Sequence, residues 1–147
     1  MIMRCSLKTV LMGLGLFVLA GCDTSQQSPL GEEDVYASSP DGQTRLVIFR
    51  DDYSGLLIQP KVYVDGQHVA TCTPGTATTV AVLPGSHRVS GATLKERSIN
   101  VDVPNGKTTY VSCAVGFGVL VGKVEFTHRF ATEAAPKVAK MRAIVAE

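Results

Sequence analysis

Tryptophan is missing from the chain, and aromatic residues make up only 6% of its 147 positions. A core here must therefore be built from Val, Leu, Ile and Ala rather than from large rings. An excess of charge of one sign is also lacking. The 14 basic and 13 acidic residues nearly balance, and the basic ones are scattered along the chain, which leaves no basic patch for nucleic acid or anionic lipid. No Cys-x-x-Cys and no closely spaced His pair is present to ligate a metal. No Gly-x-Ser-x-Gly elbow exposes a nucleophile, and no Gly-x-Gly-x-x-Gly order cradles a phosphate. An enzyme built on this chain would have to assemble its site from residues far apart in sequence.

What is present begins at the N-terminus. Arg4 and Lys8 precede an apolar run from Val10 that closes at Leu19-Ala20-Gly21-Cys22. A basic start, a short apolar core and small residues before a cut have the layout of a secretory signal peptide. The run is well short of the roughly 20 residues that a spanning helix needs. Leu19-Ala20-Gly21-Cys22 resembles the lipobox of bacterial lipoproteins. That resemblance implies a diacylglyceryl group on the Cys22 sulfur and cleavage between Gly21 and Cys22. An ordinary cleaved signal peptide and a transmembrane anchor are the competing readings. Palmitate-type acyl chains would contribute about 0.8 kcal/mol for each buried methylene, so several chains hold far more firmly than one. Asp23, directly after Cys22, resembles the inner-membrane retention signal of enterobacterial lipoproteins, which points to the periplasmic face of the inner membrane in preference to the outer membrane.

Loss of residues 1–21 removes Arg4 and Lys8 from the 14 basic residues and leaves 12 against 13 acidic ones. The mature chain suits one domain with one core. Residues 22–43 hold the lipidated Cys22 and a polar stretch rich in Ser, Gln, Pro, Gly and acidic side chains, from which a flexible tether is expected. About 20 such residues span roughly 25 Å, enough to lift a small domain clear of lipid headgroups.

From Thr44 the pattern changes to short β-rich runs divided by turn signals. Leu46-Val47-Ile48-Phe49 reads as a strand covered on both faces. Lys61 to Val64, Asp65-Gly66, then Gln67 to Ala70 reads as a hairpin with a type I′ turn, which sets Val62 opposite Val69. Pro84-Gly85 is expected to form a type II turn joining Thr79–Leu83 to His87–Ser90. Ile99, Val101 and Val103 alternate with Asn100 and Asp102, and Pro104-Asn105-Gly106 reverses the chain into Lys107–Ala114. About seven or eight short strands result, and their spacing predicts an all-β domain over residues 44–130, a small antiparallel β-sandwich or partly open barrel.

The segment Val115 to Gly122 reads as a strand with Val115, Phe117, Val119 and Val121 on one face, thinned by glycines on the other. An apolar tip touching lipid or a partner is the lesser reading. Residues 131–147 read as a terminal helix or tail, with Ala134, Val138, Met141 and Val145 on one face and Pro136 in the first turn. The alternative is a membrane-surface helix.

Processing removes Cys5 and lipidates Cys22, so Cys72 and Cys113 remain as a pair in an oxidising compartment. A disulfide between them competes with two buried free thiols, because the hairpin that buries Val69 points Cys72 away from the core unless a bulge intervenes. His68, His87 and His128 stand isolated in strand or turn settings, and Asp51-Asp52 reads as a solvated turn.

The order Val47-Ile48-Phe49-Arg50, Pro60 to Val69 and Val82 to Val89 resembles the small β domains of PEGA type. It is closer still to a related family of bacterial lipoproteins known as a domain of unknown function. The resemblance spans roughly Thr44 to Phe126 and is carried by the Val-Asp-Gly hairpin (Asp65, Gly66) and the Pro-Gly-x-His turn (Pro84, Gly85). It implies an accessory β module in the cell envelope and carries over no catalytic residues or cofactor. The expected function is therefore a lipid-anchored, non-catalytic module that binds an envelope protein or glycan, or supports envelope architecture. The alternative is an envelope enzyme or small-ligand carrier with a pocket assembled from separate strands.

Overall fold

The computed structural model describes residues 35–116 and 122–146. The expected signal peptide, Gly21, Cys22, Asp23, the tether up to residue 34, and Phe117, Val119 and Val121 lie outside the described residues. Runs rich in Val, Ile and Thr, punctuated by Gly and Pro, become ten strands among the described residues. They are β1 (Ala37–Ser38), β2 (Arg45–Arg50), β3 (Lys61–Val64), β4 (Gln67–Thr71), β5 (Thr76–Ala81), β6 (Gly85–Ala92), β7 (Glu96–Val103), β8 (Lys107–Gly116), β9 (Lys123–Arg129) and β10 (Arg142–Val145). A helix, α1 (Ala131–Val138), lies between β9 and β10.

The strands form two sheets. One runs β1-β8-β2-β5-β10, with β9 also on β8, and the other runs β4-β3-β6-β7. This is the expected all-β sandwich with its short C-terminal helix, and no barrel closes. It differs in being mixed: β2 pairs parallel with β8, and β10 parallel with β5. Chain crossings between sheets cause the first of these. Pro84-Gly85 does not close a hairpin, because β5 and β6 belong to different sheets, so the bend carries the chain across the sandwich. Pro104 to Gly106 does the same between β7 and β8.

Strand β2 shows why the sandwich holds. Side chains alternate faces along a strand, and all four residues Leu46 to Phe49 are buried. Leu46 and Ile48 enter the core between the sheets with Val62, Val89, Val111 and Val124. Val47 and Phe49 face the other way, where Tyr110, Ala131 and Ala134 cover them. Helix α1 is the second cover, so the chain has a core on each side of one sheet.

Three expectations need correction. Residues 37–38, expected in the tether, form β1 and pair with Lys107-Thr108 of β8. The C-terminal helix ends at Val138, with Pro136 in its second turn, and residues 142–145 are a strand. Met141 does pack beside α1, but Val145 is 88% exposed in β10 rather than on a helix face. In the β3–β4 hairpin the I′ turn is present, with φ of 50° at Asp65 and 84° at Gly66. Its register differs, because Tyr63 opposes His68 and Val62 opposes Ala70, so Val69 is a bulge.

That bulge rotates the rest of β4. Val69 and Ala70 are both buried, and Cys72 falls in phase with Ala70, facing the core. Cys72 is bonded there to Cys113 of β8, with Cα atoms 6.3 Å apart. The disulfide joins the two sheets through the middle of the core and closes a loop worth about 4 kcal/mol on the chain-entropy account.

Candidate functional site

The two turns that the sequence singled out meet in space. Asp65 sits at the tip of the β3–β4 hairpin, and β6 runs beside β3 with Val64 opposite Val89. The Asp65 carboxylate accepts from the His87 Nδ1 at 2.6 Å and from the Arg88 amide at 2.9 Å. The Asp65 amide in turn donates to the Arg88 carbonyl at 2.9 Å. His87 Nε2 lies 2.7 Å from the Leu83 carbonyl oxygen, just before the Pro84 bend. Hairpin tip and crossing bend therefore form one latch at one end of the sandwich.

The chemistry of this His–Asp pair follows from its partners. A carbonyl oxygen only accepts, so Nε2 donates to Leu83. The hydrogen bonds from His87 and from the Arg88 amide hold the Asp65 carboxyl below the usual carboxylate range, against a smaller opposing effect of burial. An ionised carboxylate requires Nδ1 to donate as well, which makes the ring an imidazolium. Burial works against that charge, but the hydrogen bonds to Asp65 and Leu83 and the Asp65 charge outweigh it and raise the His87 pKa above its ordinary value. While both nitrogens donate inside the fold, the ring has no free lone pair, and the pair ties the hairpin tip to the crossing bend.

The other candidates lie apart from it. His68 tilts against Tyr63 with ring centroids 5.5 Å apart. His128 tilts against Tyr36 at 5.9 Å, and burial lowers its pKa. Three open hollows of about 250–260 Å³ mark the surface. They are smaller than the usual 300–1,000 Å³ of a ligand pocket. None of the three is lined by histidine. Among the described residues, no three His, Cys, Asp or Glu side chains are grouped to hold a metal ion. No described helix is long and apolar enough to cross a membrane.

Arg50 is the residue that the sequence reading missed. Only 1% exposed, its guanidinium donates to the carbonyls of Ile58 at 2.9 Å and Cys72 at 3.0 Å, and also to that of Ser54. It lies 3.5 Å from the Asp52 carboxylate. The Asp52 carboxylate also accepts from the Ser54 amide, while Asp51 pairs with Lys137 of α1 at 2.9 Å. Asp51-Asp52 is thus not a simply solvated turn: each carboxylate faces a cation that ties the loop down. The available signal was an arginine closing a run of four apolar residues.

Comparison with known proteins adds little to this geometry. No family model matches the chain, and no solved structure matches it. The chain is similar to an uncharacterized protein of Haemophilus influenzae, at 23% identity over 116 residues that cover 76% of this chain and 68% of the relative.

Proposed function

We propose that this chain is a bacterial envelope lipoprotein, anchored through acyl chains on Cys22, whose β-sandwich has a non-catalytic binding or structural role. The observation that carries this reading is the Cys72–Cys113 bond across the two sheets. Disulfides of this structural kind belong to oxidising compartments outside the cytoplasm. The Leu19–Cys22 lipobox calls for the same compartment. The engaged nitrogens of His87 and the small hollows favour a binding or architectural module over an envelope enzyme. The likeness to PEGA-type domains is part of the proposal, since the two marker turns are explained by the latch they form.

Substitution of the acceptor cysteine tests it. Cys22→Ala is expected to accumulate as an unprocessed precursor that takes up no labelled fatty acid, read by mobility shift and click detection of an alkyne-palmitate label. Normal cleavage of Cys22→Ala, with continued membrane fractionation, would overturn the anchoring.

A further inference from the structure

One end of the sandwich is apolar and basic together. β2 and β8 run parallel, so the chain after Arg50 and the chain after Gly116 leave at the same end. There the 51–60 loop carries Tyr53, Leu56 and Leu57, which are 65%, 54% and 98% exposed. The β6–β7 turn brings Leu94, 81% exposed, to the same end. The two loops are tied through β8–β9: Ile58 and Val115 crowd Gly122, and Gly122 shares a hollow with Leu94, Lys95, Arg97 and Lys123.

These leucines are not loose. Arg50 holds the carbonyls on either side of Leu56 and Leu57 from beneath, at Ser54 and Ile58, and the Ile58 amide bonds the Gly55 carbonyl at 2.8 Å. A buried guanidinium is thus used to keep a loop whose outer side chains face solvent. The charge at this end is basic in net effect. Asp51 and Asp52 face Lys137 and Arg50, and Glu96 pairs with Arg88 at 3.0 Å. Among the described residues, no acid pairs with Lys95, Arg97 or Lys123, and Glu125 is the nearby acid beside Arg97. The basic residues, scattered in sequence, are gathered here by the fold.

β1 runs antiparallel to β8, with Ala37 opposite Thr108 and Ser38 opposite Lys107, so its direction is away from the leucine-bearing end. Twelve residues lie between Cys22 and Val35, thirteen Cα-to-Cα steps. Fully extended they reach at most about 45 Å, which keeps the domain within touching distance of the leaflet that holds the anchor.

We infer that this end seats on the bilayer surface, Leu56, Leu57 and Leu94 entering the headgroup–acyl boundary while Lys95, Arg97 and Lys123 meet anionic headgroups. Tyr53 suits the interfacial level. Two membrane signals, acyl chains and a basic apolar patch, hold more firmly than one. The inference rests on the lipid-anchor reading.

The full lipidated chain, reconstituted into phosphatidylethanolamine vesicles with or without phosphatidylglycerol, tests it. With Cys22 acylated and Cys72 bonded to Cys113, Leu57→Cys or Leu94→Cys supplies one thiol for an environment-sensitive fluorophore at an exposed site. Blue-shifted emission and several-fold stronger quenching by nitroxide lipids are expected at both positions, but not at Asn105→Cys at the opposite end. The combined Lys95→Glu, Arg97→Glu and Lys123→Glu change is expected to release the labels from anionic vesicles. Labels that stay in water while the protein floats with vesicles overturn the docking and leave the anchor standing. Failure to float overturns both. Burial of the labels in native envelopes but not in protein-free vesicles assigns the end to a protein partner and overturns the lipid assignment.

Discussion

Arg50 closes a strand of four apolar residues, and its enclosure turns a charge into a scaffold for the 51–60 loop. Removing a buried cation strands its acceptors, each costing about 1–3 kcal/mol when left unsatisfied. Arg50→Met is therefore expected to lower stability by about 3 kcal/mol in urea unfolding. His87 and His128 make opposite contributions with pH. The folded pKa of His87 is raised, so its stabilisation is full below the ordinary histidine value and is lost as pH rises through the folded one. The folded pKa of His128 is lowered, so its contribution is present above the ordinary value and is lost as pH falls through the folded one. Asp65, also lowered, adds a loss only in acid, below the ordinary aspartate value. His87→Gln is expected to remove the decline in stability from about pH 6.5 upward, and His128→Gln the decline below about pH 6.5, in unfolding curves taken from pH 5 to 8. Asp65 is half exposed, so the His87 effect should be a few tenths to about 1 kcal/mol.

Strand β6 shows a constraint at the scale of the element. Gly91 faces Val62 of β3, and a Cβ there would lie 2.7 Å from the Lys61 carbonyl oxygen and 2.9 Å from Phe126. The backbone of β3 cannot give way cheaply, so Gly91→Ala should cost about 1–3 kcal/mol, read as a lower midpoint in thermal or urea unfolding. The elements differ in how far the sequence revealed them. Leu46 to Phe49, the Asp65-Gly66 turn and the Val101–Val103 alternation were legible because each is decided by local chemistry: apolar pattern, positive φ and period. The Val69 bulge was not, because it answers to packing against the opposite sheet. Neither was the Asp65–His87 latch, whose partners are 22 residues apart and meet only after β3 and β6 pair. Pro84-Gly85 was legible as a bend but not as a crossing, since a turn motif does not state which sheet comes next. Residues 142–145 read as helix because Val138, Met141 and Val145 share a helical period, yet an open edge of β5 offered hydrogen bonds that an extended chain alone can fill.

For the molecule as a whole, the Cys72–Cys113 bond is the one covalent tie between the sheets among the described residues. Replacing both cysteines with alanine is expected to cost about 2–5 kcal/mol, and reducing agent should lower the unfolding midpoint of the native protein but not that of the double variant. The candidate site was the least legible level. Its pieces, an arginine under a loop, two exposed leucines above it and cations from the β6–β7 turn, β7 and β9, come together only when β2, β6, β8 and β9 share an end.

The parallel seam between β5 and β10 has a further consequence, in time rather than space. Thr76 waits for Arg142, and Ala77 for Ala143, so one sheet keeps a bare edge until β10 has been made. A chain that emerges from its N-terminus cannot finish this sheet until residues 142–145 are free to pair. Completion comes only when β10 docks, and until then an unfilled β5 edge can recruit a neighbouring chain. Strand β10 thus acts as a clasp, closing the β5 edge after the rest of its sheet has paired.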